Sequence, residues 1–147
     1  MPGRDASRMH VNENIRCYFS FRSPYAWLAF HRLQAFVAAG GPAIDFVPLI
    51  PPRGFLDDMD PRKRRYIGED VRRIAHAYGL ELRWPDPFDT EWLRPHAAFL
   101  HAVDAGAGIP FGAALFRARF SEGRDVGDAA VLRDAAAVAG LEPEAIV

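Results

Sequence analysis

The sequence is organised around one stretch, Ile15 to Phe36, in which a short apolar segment runs almost directly into a helix. Residues 15–21 read Ile-Arg-Cys-Tyr-Phe-Ser-Phe, which is rich in β-branched and aromatic side chains and short enough for a buried strand. Ser23 and Pro24 follow; serine is a favoured N-cap, and proline fits the first helical position. The sequence therefore predicts a strand, a Ser-Pro junction and a helix over residues 24–39.

A second strand follows this helix, since residues 43–50 read Ala-Ile-Asp-Phe-Val-Pro-Leu-Ile. A helix that connects two strands of one sheet makes them parallel neighbours with a right-handed crossover. Pro48 has no N–H to donate to a neighbouring strand, so the strand is expected to end there. The carboxyl ends of both strands then share one edge of the sheet. This places Ser23 and the loop after Pro51 together, where open parallel sheets bind ligands.

The junction at Ser23 could also take part in chemistry. The first N–H groups of a helix lack partners within the helix, and the helix dipole places partial positive charge there. An anion or a thiolate is therefore favoured beside the Ser23 hydroxyl. The simpler interpretation is that Ser23 only caps its helix, and the local sequence leaves both interpretations open.

Helical patterns fill the rest of the chain. Asp60 is the predicted N-cap of a helix that carries Tyr66 and Val71 on its apolar face. Further helices are predicted over residues 92–105, 110–120 and 128–139. The predicted parts are a flexible tail (1–14), a strand–helix–strand part (15–55), a helical insertion domain (56–140) and the truncated start of a further helix (141–147).

Composition and charge argue against several classes of function. The net charge of −1 gives no positive field that would attract nucleic acid. Nearby acidic residues offset the basic run Arg62–Arg65, and we interpret this run as a solvent-exposed helix face. No apolar run is long enough to span a bilayer. His96 and His101 do not share a helix face, so a metal site is not expected. Cys17 is the only cysteine, which rules out an intrachain disulfide. Its position in the middle of the predicted strand predicts a buried thiol. We also expect a cytoplasmic location.

The segment from Phe21 to Ala29, Phe-Arg-Ser-Pro-Tyr-Ala-Trp-Leu-Ala, resembles the active-site segment of the DsbA-like branch of the thioredoxin superfamily. Disulfide oxidoreductases of that branch carry Cys-x-x-Cys in this segment, and this chain has Ser23 and Ala26 at the two cysteine positions. Serine followed by Pro-Tyr resembles the kappa-class glutathione transferases and the 2-hydroxychromene-2-carboxylate isomerases. The resemblance implies an α/β, thioredoxin-like parallel strand–helix–strand core with an all-helical insertion.

The resemblance also implies a function. In that family a serine hydroxyl contacts the sulfur of bound glutathione, so Ser23 is the expected catalytic residue and, with Arg53, an expected contact for glutathione as cosubstrate. Tyr25 and Trp92 are the expected substrate-binding residues, although Tyr25 suits simple packing better. The implied partner is a small-molecule substrate, an aromatic or unsaturated acid, with no nucleic acid and no membrane.

The likeness covers roughly the amino-terminal two-thirds of a family member. Family members continue into carboxy-terminal strands and a cis-proline that contacts glutathione, and no residue of this chain matches them. Two strands make a poor sheet with unpaired edges, so we expect a homo-oligomer or a partner that supplies strands. The alternative function is a catalytically inactive binding or interaction module. Thiol–disulfide exchange is nearly excluded, because Ser23 and Ala26 supply no thiol.

Overall fold

The computed structural model describes residues 14–52, 54 and 57–146. Its elements in chain order are β1 (Ile15–Phe19), α1 (Pro24–Ala38), β2 (Ile44–Pro48), α2 (Pro61–Ala77), α3 (Leu93–Asp104), α4 (Gly108–Phe120), α5 (Ala129–Val138) and a short 3-10 turn, Pro143–Ala145. The predicted tail lies outside the described residues, apart from Asn14. None of the helices described here has the length and apolar character needed to cross a bilayer.

Strands β1 and β2 pair in parallel, with Ile15 opposite Ile44 and Phe19 opposite Pro48. The predicted parallel strand–helix–strand unit is therefore confirmed. Strand β1 ends two residues earlier than predicted because the chain turns at Ser20, whose carbonyl accepts a hydrogen bond from the Ser23 N–H at 3.1 Å. Strand β2 ends at Pro48, as expected for a residue without an N–H.

The sheet is buried on one face only. Phe19 and Phe46 point into the core, whereas Tyr18, on the opposite face of β1, is 56 % exposed. The expectation of a wholly buried strand is therefore wrong, because the described helices cover a single face. Cys17 is half-buried rather than fully buried, and this partial burial raises the pKa of its thiol.

The core is a cluster of phenylalanine rings that joins the strands to the helices. The Phe19 ring meets Phe21 and Phe99 edge-on, with centroids 5.1 and 5.0 Å apart, and Phe30 packs 4.5 Å from Phe46. Edge-to-face and tilted contacts of this kind add about 0.5–1.5 kcal/mol per pair beyond the burial of apolar area. Residues from both predicted parts, 15–55 and 56–140, thus contribute to one continuous core.

The helix starts predicted at Asp60 and Asp128 are confirmed by their caps, whereas α4 begins at Gly108, two residues before the predicted start. The Asp60 side chain accepts from the Arg62 N–H at 2.8 Å, and Asp128 accepts from the Ala130 N–H at 2.9 Å. The apolar face of α2 is narrower than predicted. Val71 is fully buried in it, whereas Tyr66 is 59 % exposed, so its predicted place in the core is wrong.

Gly112 of α4 allows α1 and α3 to approach closely, because a Cβ at this position would come 2.7 Å from Phe30 Cζ and 3.0 Å from Phe99 Cε2. We predict that Gly112→Ala lowers the free energy of unfolding by about 1–3 kcal/mol through overpacking. Gly68 of α2 is the matched control, since a Cβ there meets no atom within 4 Å. Gly68→Ala should stabilise the protein by roughly 0.5–1 kcal/mol through helix propensity. Urea denaturation of both variants measures the difference, and a Gly112→Ala protein as stable as wild type would contradict this packing.

Candidate functional site

The junction between β1 and α1 has the geometry of a capped helix start. Ser23 has an extended backbone conformation, and its Oγ accepts a hydrogen bond from the Ala26 N–H at 3.2 Å. Pro24 occupies the first helical position, where a missing N–H leaves no bond unmade. The predicted capping role of Ser23 is confirmed. Its hydroxyl proton has no acceptor among the described residues and is free to donate to a ligand.

Ser23 lies in the wall of a cavity of about 740 Å³. The wall is mostly apolar and includes the aromatic rings of Tyr25, Trp84 and Phe88. Ser20 and Arg22 contribute polar atoms beside Ser23. A cavity of this size, with mostly apolar walls and a few polar side chains, suits a small organic ligand that carries a polar group.

A buried histidine holds the loop from which these polar groups project. His96 of α3 is 2 % exposed, and its Nε2 lies 3.2 Å from both the Phe21 backbone N and the Ser20 Oγ. A backbone N–H can only donate, so Nε2 is the unprotonated nitrogen and accepts from Phe21, while Nδ1 donates to the Trp92 carbonyl oxygen at 2.6 Å. Burial lowers the pKa of His96, which keeps the imidazole neutral.

Arg22 places a guanidinium in the cavity wall next to Ser23. Its side chain is 11 % exposed, and its Nε lies 3.8 Å from Asp89 Oδ1, which is too far for a hydrogen bond. That Nε finds no hydrogen-bond acceptor among the described residues. Asp89 Oδ1 instead accepts from the Trp92 indole Nε1–H at 2.6 Å. The Arg22 charge is therefore only loosely paired.

A second arginine lies behind this wall. Arg119 is fully buried, and its Cζ lies 4.7, 4.9 and 5.4 Å from the ring centroids of Trp92, Phe120 and Phe88. Its Nη2 donates to the Phe88 carbonyl oxygen at 2.7 Å, which fixes one wall of the cavity. Burial lowers the pKa of Arg119 to about 10, so the group stays charged at neutral pH and is stabilised by the faces of the rings around it.

Tyr25 connects the cavity wall to α2. Its hydroxyl donates to Asp70 Oδ2 at 2.7 Å, and Asp70 Oδ1 also accepts from Arg73 Nη2 at 3.0 Å. The hydrogen bond to Asp70 raises the pKa of Tyr25 to about 12. The phenol proton is thus held by Asp70, and Tyr25 offers the cavity its ring rather than a proton.

The structure brings together two of the four residues singled out from the sequence. Ser23 and Tyr25 line the cavity. Trp92 does not, but its indole holds Asp89, which does. Arg53 lies outside the described residues.

Sequence reasoning missed five residues that shape the site, namely Ser20, Arg22, Asp89, His96 and Arg119. The signal for Arg22 was present, because a charged residue stands beside Ser23 in an otherwise apolar motif. His96 and Arg119 gave no signal, since their burial depends on contacts with distant parts of the chain.

The fold and site together define a thioredoxin-like α/β protein, in which a helix start beside a parallel strand faces a cavity. The model of the DSBA-like thioredoxin domain family matches residues 14–147, and the chain belongs to this family. The resemblance inferred from the motif around Ser23 is thereby confirmed.

Solved structures that share this fold include the following two. That of 2-hydroxychromene-2-carboxylate isomerase matches with a TM-score of 0.74 at 21 % identity, over 89 % of this chain and 68 % of that one. A Nitrosomonas europaea protein provisionally assigned as a protein disulfide isomerase gives 0.63 at 16 % identity, over 92 % of this chain and 69 % of that one. A search of curated proteins gave no match. At these identities the likeness shows the fold, and function has to be argued from the site.

The neutral state of His96 makes the stability of the protein depend on pH. The unfolded chain protonates His96 near its ordinary pKa of about 6.5, and the folded chain only at a lower pH, because burial lowers the pKa of this group. The stability it contributes is therefore complete above about pH 6.5 and is lost as the pH falls through the folded pKa. Urea unfolding between about pH 5 and pH 7.5 should show this loss in the wild type and a flatter profile in His96→Gln.

His101 provides the matched control, since it lies on the same helix and is exposed. His101→Gln should keep the wild-type pH profile. If wild type and His96→Gln lose stability in parallel over this range, the neutral buried imidazole is not what holds the loop.

Proposed function

We propose that this protein is a glutathione-dependent isomerase or transferase that acts on a small aromatic or unsaturated acid. The observation that carries the proposal is the position of the Ser23 hydroxyl, at the N-terminus of α1 and in the wall of the cavity. Because its Oγ already accepts from the Ala26 N–H, the hydroxyl is polarised toward donating its own proton. A thiolate against this hydroxyl gains a hydrogen bond and the favourable potential of the helix start, and both lower the pKa of a bound thiol.

Bound glutathione would supply a thiolate that adds to an electron-poor carbon of a conjugated double bond, so that the C–S bond forms as the C=C π bond opens. In isomerisation the C–S bond then breaks as the π bond re-forms, whereas in transfer the adduct takes up a proton and keeps the C–S bond; neither path involves net oxidation. The contribution of this chain is to hold and orient the reactants. Ser23 stabilises the thiolate, and the rings of Trp84 and Phe88 hold the apolar part of the substrate. Arg53 is proposed as a contact for glutathione, and Tyr25 as a substrate contact through its ring. Trp92 is proposed to act through its hydrogen bond to Asp89.

The chain lacks the chemistry for thiol–disulfide exchange at this site. Cys17 is the only cysteine in the sequence, and it lies on β1 rather than at the junction. A two-cysteine exchange reaction needs a second thiol to resolve the mixed disulfide. The fold shared with 2-hydroxychromene-2-carboxylate isomerase therefore supports the proposal better than the fold shared with the provisional disulfide isomerase does. A cytoplasmic location, where thiols are kept reduced, suits this chemistry and belongs to the same proposal.

A second candidate function is a catalytically inactive module that binds other chains. It is favoured by the two-stranded sheet of the described residues, in which each strand has one unpaired edge. Tyr18 and Leu49, at 56 % and 51 % exposed, leave apolar surface beside these edges. A strand from another copy or a partner would cover them. A chain that neither binds glutathione nor turns over an acid, but forms a dimer in sedimentation, would favour this candidate.

The proposal is tested by separating the capping role of Ser23 from its chemical role. Ser23→Ala should cost about 1 kcal/mol of stability through loss of the cap. It should also raise the pKa of the bound thiol and slow glutathione-dependent turnover about tenfold or more. Ser23→Asp should restore much of the stability, because aspartate caps helices, but not the activity, because its charge repels a thiolate. Thermal unfolding, glutathione titration and turnover of the three proteins at one pH provide the measurements.

Asp128 supplies a matched control, because it caps α5 through the Ala130 N–H at 2.9 Å and lies away from the cavity. Asp128→Ala should lose a similar amount of stability and keep both glutathione affinity and turnover. If Ser23→Asp turns over as fast as wild type, Ser23 is a helix cap and nothing more. Absence of glutathione binding to the wild type would rule out the glutathione-dependent function altogether.

A further inference from the structure

Arg22 is a cation in the cavity wall, and its Nε–H is not used by any described residue. Its side chain is 11 % exposed, so most of its hydration is lost on folding. Its Nε has no acceptor among the described residues and lies 3.8 Å from Asp89 Oδ1, which is too far for a hydrogen bond. A largely buried donor without an acceptor is unfavourable, and a ligand that brings an acceptor relieves that cost.

Asp89 is a weak competitor for this guanidinium. Its side chain is 64 % exposed, so water screens its charge, and its Oδ1 is already the acceptor of the Trp92 Nε1–H at 2.6 Å. Asp125, a further acid on this side of the protein, accepts from Thr90 Oγ1 at 2.5 Å and from the Gly127 N–H at 2.8 Å. Both carboxylates are therefore committed to other donors.

Arg119 adds positive charge behind the wall of the cavity, where it is bonded to the Phe88 carbonyl oxygen. It is fully buried among aromatic rings, and its charge interacts favourably with Asp125 and Asp89 and, less strongly, unfavourably with Arg22. An anion placed beside Arg22 lessens that repulsion. The described lining residues include two arginines, Arg22 and Arg64, and two acids, Asp57 and Asp89, so the preference for a negative group arises locally, beside the guanidinium of Arg22.

The surroundings of Arg22 restrict the ligand further. Trp84 and Phe88 form apolar wall in the same cavity, and Ser23 lies next to Arg22 in the chain. A ligand that satisfies these groups has a flat apolar body and one anionic end. Carboxylates match the planar, forked donors of a guanidinium better than they match a single ammonium group.

We propose that Arg22 is the specificity-determining residue of this cavity and binds the carboxylate of an aromatic or unsaturated acid, in place of its loose contact with Asp89. The inference rests on the proposed function for the nature of the ligand, and on the contacts of Arg22 for the site. In this proposal Arg22 recognises the carboxylate of the acid. Ser23 does not serve this purpose, because its hydroxyl is used to stabilise the thiolate and carries no positive charge.

The test compares cinnamate with its neutral isostere cinnamamide by calorimetric titration, without glutathione, at pH 7. The two probes share ring and double bond and differ in the charge of one end. The wild type should bind cinnamate about tenfold tighter or more. Arg22→Gln should remove that preference while leaving cinnamamide affinity unchanged, and Arg22→Lys should keep only part of it. Asp89→Asn should increase the preference, because the amide oxygen still accepts from Trp92 but no longer competes for the guanidinium.

Two controls locate the effect. Arg117→Gln removes the same charge from a side chain that is 72 % exposed and absent from the cavity wall, and should change neither affinity. Arg64 is a second arginine among the described residues of the wall, so Arg64→Gln should leave the preference for cinnamate in place. Circular dichroism establishes that each variant is folded. If Arg22→Gln does not fold, the Asp89→Asn and Arg64→Gln proteins still decide the outcome.

Several results would overturn the inference: equal binding of cinnamate and cinnamamide, no binding of either probe to the wild type, selectivity that survives in Arg22→Gln, or selectivity lost in Arg64→Gln. Because no arm contains glutathione, these results are independent of the Ser23 experiment. Anion selectivity at Arg22 without glutathione binding would leave this site standing and remove the glutathione-dependent function. Glutathione-dependent turnover without anion selectivity would support the proposed function and rule out the carboxylate site at Arg22.

Discussion

The cavity depends on one buried imidazole. His96 accepts from the Phe21 N–H and the Ser20 hydroxyl at a single nitrogen and donates from the other to the Trp92 carbonyl. These bonds join α3 to the turn between β1 and α1, across 75 and 76 positions of the sequence. Only the neutral imidazole can make these bonds, because a proton on Nε2 would point at the Phe21 N–H and the Ser20 hydroxyl, which are both donors here. The placement of Ser23 and Arg22 in the wall follows from that turn.

The site contains two arginines in different surroundings: Arg119 is enclosed behind the cavity wall, and Arg22 lines the cavity. Arg119 is enclosed by Phe88, Trp92 and Phe120 and gives its one hydrogen bond to a backbone carbonyl, so it holds the wall in place. Arg22 lies at the cavity itself with its Nε–H unpaired. Both guanidinium groups keep donors without acceptors among the described residues, Arg119 at Nε and Nη1 and Arg22 at Nε, but of the two only Arg22 lines the cavity, where a ligand can reach it.

Ser23 has a structural and a chemical capacity at the same atom. Its Oγ accepts the bond that starts α1, and its own O–H remains a donor for a ligand. A residue with both capacities cannot be assigned from loss of function alone, because removing it weakens the helix start as well. The Tyr25–Asp70 hydrogen bond adds a further link from the same helix start to α2, so the cavity wall and the helical layer are fixed to each other.

The sequence alone determined the local elements, because these are set by neighbours in the chain. The Ser-Pro junction, the parallel strand–helix–strand unit, and the caps at Asp60 and Asp128 follow from residue types and short spacings. The same reasoning failed for Tyr66 and for the extent of burial of Cys17, since exposure depends on which face the helices cover.

Only the tertiary structure decided the composition of the site. Whether His96 is neutral, Arg119 enclosed and Arg22 short of an acceptor depends on residues far apart in sequence, and desolvation acts through that packing rather than through any local pattern.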